Sequence, residues 1–382
     1  MTDAWESTER ERAGREGRSA GRGDSGPARD ELTERGRDGG GTGDVRDVIT
    51  GTETYVHGRS GALTTQGTRS TPSGRRGKRG GGGERRMVPP AEPRSYYDQP
   101  VIKPPVWTWE VPSYLFFGGM GGAASALAAA ADLAGRKELA RHASIVSLTG
   151  ITISPILLIA DLGRPLRFLN MLRVFKLTSP MSVGSWILIA NGASATPAAL
   201  AAITGLPIPG ARLARLAAGV LGIPLATYTA VLLTNTAVPI WSEARWTLPF
   251  VFAAGGAASA GGAVMAICPA ESAGPARRLA IGGAVIESVA VELMQRRLGE
   301  LAEPYHEGTT QNWSIAAKTL TMLGGLGVAA FGRRSRRATM TSAAMLIGGA
   351  FCERWAVYKA GFNSARDPRY TVGPQRARRE QD

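Results

Sequence analysis

The sequence predicts an all-α integral membrane protein of eight transmembrane helices behind a disordered N-terminal tail. Three observations carry this reading. The composition changes abruptly near residue 106, from Gly, Arg, Ser, Thr and acids to Ala, Leu, Ile and Gly. After that break, eight apolar runs reach or approach the roughly 20 residues needed to cross a hydrocarbon core. The runs are also dense in small residues, as in "GGMGGAASALAAAA" (Gly118 to Ala131) and "AAGGAASAGGA" (Ala253 to Ala263). Such residues let helix backbones approach closely in lipid, where packing replaces the hydrophobic drive. The mean hydropathy of −0.07 averages over the two unlike parts and conceals the break.

The chain divides into a polar Gly/Arg-rich tail at 1–106, a membrane domain at 107–363 and a basic C-terminal tail at 364–382. The first tail has too few aliphatic clusters to offset its ordering entropy. Its "SGRRGKRGGGGERRM" run (Ser73 to Met87) attracts phosphates in principle, but the tail intersperses acids among its arginines. It therefore reads as solvated, and no nucleic-acid partner is expected, although the formal net charge is +14. A charged n-region followed by an apolar core and a small-residue cleavage site does not occur before Val106, so a secretory signal is not expected.

The spans follow in order. The first four are Pro112–Leu133, Leu139–Ala160, Ser182–Ile203 and Leu213–Leu233. The fifth is Trp246–Cys268 and the sixth, a short one, Leu279–Leu293. The last two are Trp313–Phe331 and Ala338–Ala360. The fourth contains Pro224, which membrane helices tolerate when neighbours satisfy the freed backbone groups.

Connections after odd-numbered spans are short and basic: Arg136 and Lys137, Arg212 and Arg215, Arg277 and Arg278, then Arg333, Arg334, Arg336 and Arg337. The others are longer and carry Trp241, Glu243, Glu300, Glu303, Tyr305 and Glu307. The positive-inside rule puts the short loops in the cytoplasm and the termini outside. A long tail without a signal, together with a basic C-terminus, argues the opposite. The sequence leaves the sidedness open.

Composition excludes resident redox centres of the common kinds. His57, His142 and His306 do not make the facing intramembrane pairs that a b-type haem requires. Cys268 and Cys352 lack iron–sulfur or zinc spacing. Neither haem nor an iron–sulfur cluster is therefore expected in this chain. Ionisable residues at membrane depth are costly and point to function. Here they are Glu287 and Glu292 in span six, Lys318 in span seven, and Glu353 with Arg354 in span eight. They read either as a polar path or as interhelical hydrogen bonds that hold the bundle. Lys318 reads as near enough to a helix end to snorkel. Glu353 and Arg354 are neighbours and so face different directions on a helix.

Between spans two and three, Asp161 and Arg164 precede Pro165, which prevents the helix from continuing in register. Phe168, Leu169, Leu172 and Phe175 recur at helical spacing, with Arg167, Asn170 and Arg173 largely on the other side. The pattern predicts a short amphipathic helix lying at the interface. Ser179 and Pro180 then set a capped re-entry into the membrane.

"ADLGRPLRFLNML" (Ala160 to Leu172) followed by "SPMSVGSW" (Ser179 to Trp186) closely resembles the NrfD/polysulfide-reductase membrane-subunit family. Three further segments fit: "VWTWEVPSYLFFGGMGG" from Val106, "YTAVLLTNTAVPIW" from Tyr228 and "GGAFCERWAVYKAGFNS" from Gly348. The likeness runs in order from Val106 to Ser364 and does not involve the tail.

What the resemblance implies is two four-helix bundles and a quinone-interacting anchor in a bacterial plasma membrane. Menaquinone or ubiquinone would bind at the end of the first bundle, beside a docked four-cluster ferredoxin-like iron–sulfur subunit. That subunit would connect to a molybdopterin catalytic subunit, to which chemistry on the final substrate would belong. By the same resemblance, Asp161 and Arg164 would fix the geometry of the quinone-site rim or engage the partner, and Arg167, Arg173 and Lys176 would dock the partner. Glu110 would serve as proton partner and Tyr228 as the opposing donor, with Trp109 and Tyr114 beside them. The chain departs from the family where Asn or His often stands near the quinone carbonyls; Trp107, Trp109, Glu110 and Tyr114 occupy that place. Two other readings stay open: a secondary transporter or ion-conducting bundle using Glu287, Glu292 and Glu353, and a structural anchor without quinone chemistry.

Overall fold

The computed structural model describes residues 100–379. Most of the 1–106 segment, with His57 and the Ser73–Met87 run, lies outside the described residues. Within them every regular element is helical. The long helices are α1 (Glu110–Leu133), α2 (Lys137–Asp161), α4 (Pro180–Thr204), α5 (Ala211–Thr234), α7 (Leu248–Ile267), α8 (Gly274–Leu298), α9 (Gly308–Phe331) and α10 (Arg336–Arg366). Shorter pieces are α3 (Arg167–Met171), α6 (Pro239–Glu243) and α11 (Arg369–Arg379), with 3₁₀ turns at Ala244–Trp246 and Gly299–Tyr305.

Each expected span corresponds to a long helix, but six of them (α1, α2, α4, α5, α7 and α9) are long and apolar enough to cross a membrane. The other two are equally long but carry more charge. Helix α8 holds Arg277, Arg278, Glu287, Glu292, Arg296 and Arg297, and α10 holds Arg336, Arg337, Glu353, Arg354, Lys359 and Arg366. The same charges explain why span six read as short. Charge masks the ends of α8, yet Pro275 in its first turn starts it.

Lys318 corrects an expectation. Helix α9 begins at Gly308, so Lys318 lies about 15 Å along it at the usual rise per residue. It sits inside the helix and not at an end, and its Nζ donates to Gln295 Oε1 at 2.9 Å.

Local chemistry sets the breaks. Ser179 caps α4 by accepting from the Ser182 amide, with Pro180 in the first turn. The left-handed Gly205 closes the same helix at φ 73°, a conformation glycine adopts without a Cβ penalty. Ser335 caps α10 by accepting from the Ala338 amide.

Helix α1 is central and packs against α2, α5, α7 and α10. Glycine makes these approaches possible. A Cβ on Gly150 of α2 would meet the Gly121 Cα at 2.6 Å and the Phe117 carbonyl at 2.7 Å. Beyond α7, α8 and α10 pack on it, and α9 packs on α10 and α8. Outward faces are apolar, with Val285, Val289, Met322 and Leu326 exposed, as a lipid-facing surface requires.

The C-terminal stretch holds an ordered helix. Tyr370 of α11 is buried and donates from its hydroxyl to Glu303 Oε2 at 2.9 Å. Burial, with that carboxylate second, pushes its pKa up to about 12.

Candidate functional site

Two groups of polar residues stand inside this apolar framework. The first gathers at the start of α1 and the end of α2. Glu110, Tyr114 and Gly118 are spaced four apart and share one face of α1. Ser154 and Asp161, two turns apart on α2, face them: the Ser154 hydroxyl donates to the Tyr114 carbonyl at 3.0 Å. Ser154 also lies 3.1 Å from where a Cβ on Gly118 would stand. Glu110 is buried at 3 % exposure.

Thr108 joins the two acids. Its hydroxyl hydrogen-bonds Glu110 Oε2 and lies 3.2 Å from Asp161 Oδ1. One hydroxyl carries one proton, so it donates to one carboxyl at a time while both converge on it. From α10, Tyr358 closes the group by donating to the Trp107 carbonyl at 2.6 Å. Trp107 stacks on Trp241 with ring centroids 5.3 Å apart, and Trp241 Nε1 donates to the Val357 carbonyl at 2.8 Å. These bonds clamp the segment ahead of α1 to α10 and fix where Glu110 stands.

The other expected residues lie around this group. Trp109 is 53 % exposed and faces outward. Arg164 is exposed just past Gly163, whose φ of 69° turns the chain out of α2. Tyr228 rests its ring on Gly184 of α4, where any Cβ would collide with it. Its hydroxyl is buried beside the Gly184 backbone without a well-formed hydrogen bond. The structure thus brings Glu110, Asp161 and Tyr114 together and sets Tyr228 one helix away.

The shelf between α2 and α4 contains a helix of only five residues, Arg167–Met171, shorter than the amphipathic helix expected. The helix ends at Met171, so Leu172 and Phe175 lie beyond it. Ser182 anchors the shelf, donating to the Val174 carbonyl at 2.9 Å and accepting from the Lys176 amide at 3.0 Å. Arg167, Arg173 and Lys176 are exposed, as are Leu166, Leu169, Phe175 and Leu177.

The second group joins α8, α9 and α10. Arg354 is 1 % exposed; its Nη1 lies 3.6 Å from Glu287 Oε1, while Nη2 donates to the Phe252 carbonyl and the guanidinium covers the Phe252 ring at 4.3 Å. Thr321 donates to Glu287 Oε2 at 3.3 Å. Glu353, next to Arg354 in the chain, lines a cavity of about 520 Å³ that Glu287, Lys318 and Thr321 also line. Glu292 is exposed at the edge of this cavity, paired with Arg296 at 2.8 Å.

Sequence reasoning missed Thr108 and Tyr358. Tyr358 reaches the first group from 251 positions away, and no local pattern announces that. Thr108 did leave a trace, a hydroxyl residue two before an acid at a helix start.

A bundle of six apolar helices with lipid-like outer faces defines a multi-pass membrane protein. Within that class the chain belongs to the NrfD-type polysulfide reductase family, whose profile matches residues 96–366. A search of curated proteins gives no match.

Proposed function

We propose that this chain is the quinone-interacting membrane subunit of a multi-subunit oxidoreductase in a bacterial plasma membrane. In this reading all eight long helices cross the membrane as two four-helix bundles. A four-cluster iron–sulfur subunit docks on the Arg167–Lys176 shelf and links to a molybdopterin catalytic subunit. The observation that carries the reading is the convergence of Glu110 and Asp161 on the Thr108 hydroxyl. A carboxyl pair, Glu110 buried and Asp161 half-buried, on a shared hydroxyl puts acid groups at fixed atoms, and general acid–base work requires that placement.

The residues present fit menaquinone or ubiquinone. The group needs hydrogen-bond donors and a protonatable neighbour, and the buried Tyr228 hydroxyl lacks a well-formed bond of its own. When bound, a quinone supplies two-electron, two-proton chemistry. Glu110 and Asp161 deliver or accept the protons, Thr108 passes them between the carboxyls, and Tyr114 and Tyr228 orient the head group. Trp107 and Trp241 keep the α1 entrance rigid and exclude water.

Glu110→Gln and Asp161→Asn test this in the assembled complex. Quinone-dependent turnover is expected to fall on the order of 100-fold, the scale of a lost general acid or base. Transfer from the catalytic subunit to an artificial acceptor should persist. Unchanged quinone turnover in both variants would contradict the reading.

A further inference from the structure

The quinone reading leaves the cavity between α8, α9 and α10 without a task. Its outer wall is apolar and belongs to the lipid-facing surface, with Val289, Leu293 and Met322, while polar groups reach it from all three helices. Glu353 is buried at 4 % exposure, and its Oε1 has no hydrogen-bond partner among the described residues. Glu287 Oε1 likewise lacks a hydrogen bond, but the Arg354 Nη1 stands 3.6 Å from it and Thr321 donates to the other oxygen.

The charges around Glu353 come from every neighbouring element. Helix α8 presents Glu287, Glu292 and Arg296, α9 presents Lys318, and α10 presents Arg354. Tyr305, from the turn before α9, and Cys352 lie within the field of Glu353. Arg354 answers one carboxyl charge and is fixed on Glu287 and Phe252. Lys318 is held by Gln295. The second carboxyl charge is therefore answered by Lys318 across the cavity or by a proton, since an unanswered charge at this depth is strongly disfavoured. Two carboxyls opposed by two cations do not make a donor set for a divalent metal. A cavity of about 520 Å³ has room for several waters at about 30 Å³ each.

We propose that Glu353 is a proton-exchange site, reached through this cavity past the Glu292–Arg296 pair, with Glu287 fixed as the counter-ion of Arg354. The exchanged species is a proton carried by water, and no electron transfer takes place there. The site is independent of the Glu110–Asp161 group.

Dicyclohexylcarbodiimide, an apolar reagent for protonated carboxyls, tests this on the full chain in native membranes, read by peptide mass spectrometry. The expected result is an adduct on Glu353 that diminishes as the pH is raised, with Glu287 unlabelled. In Glu353→Gln the adduct is lost while thermal stability in detergent is kept, so that lost labelling is not lost folding. Labelling of Glu353 should survive Asp161→Asn, which separates this proposal from the quinone reading. No adduct on Glu353, equal labelling at every pH, or loss of the adduct in Asp161→Asn would each overturn it.

Discussion

The two polar groups solve the same problem in opposite ways. The Glu110–Asp161 group has two carboxyls that meet at helix ends over a threonine hydroxyl. The Glu287–Arg354 group lies inside three helices, is balanced by a guanidinium and is locked on a backbone carbonyl. In the first group two acids converge on one hydroxyl, the arrangement that the quinone reading uses. In the second, Glu287 faces the Arg354 guanidinium at 3.6 Å, while Glu353 lines the cavity that it shares with Lys318. Position along the helix therefore says less about function than the partners each acid is given.

The comparison is broken most severely by Arg354→Met. Removing one partner of a buried pair leaves an uncompensated charge and costs about 3–5 kcal/mol. The expected outcome is a large drop in melting temperature in detergent, partly restored by adding Glu287→Gln. Asp161→Asn should show no comparable drop. Thr108→Val comes next. It removes the hydroxyl shared by the acids and should cost about 1.5–3 kcal/mol, the scale of a hydrogen bond to a charged group, as well as slowing quinone turnover. Stability and turnover measured on the same preparation would show whether the bridge acts in both.

The smallest effect lies outside both groups. The Tyr370 pKa is raised to about 12 by burial and by Glu303, above the unperturbed value of about 10. A raised folded pKa means that docking of α11 is fully present below about pH 10 and is lost as the pH rises through about 12. Hydrogen exchange of α11 should rise over that window, and Tyr370→Phe should remove the dependence.

Much of the fold was legible because apolar runs and caps are local signals. The Ser179–Pro180 re-entry was read correctly, and the structure places the cap there. The limits of α8 and the place of Lys318 were not legible, since charges inside a long helix mimic its ends. In the first polar group, Asp161 stands out in the sequence at the end of an apolar run ahead of Pro165, and Glu110 through the likeness to the family. Their convergence was not, because it depends on Thr108 and on a Tyr358 clamp formed across the whole domain.

The central claim is that a quinone lies against the Glu110–Asp161 group. Photolabelling of the complex in native membranes with an azidoquinone, mapped by peptide mass spectrometry, tests it most directly. Adducts are expected at the start of α1 and the end of α2, competed by menaquinone or ubiquinone and reduced in Asp161→Asn. Adducts confined to the α8–α10 cavity, or none that quinone competes away, would contradict it.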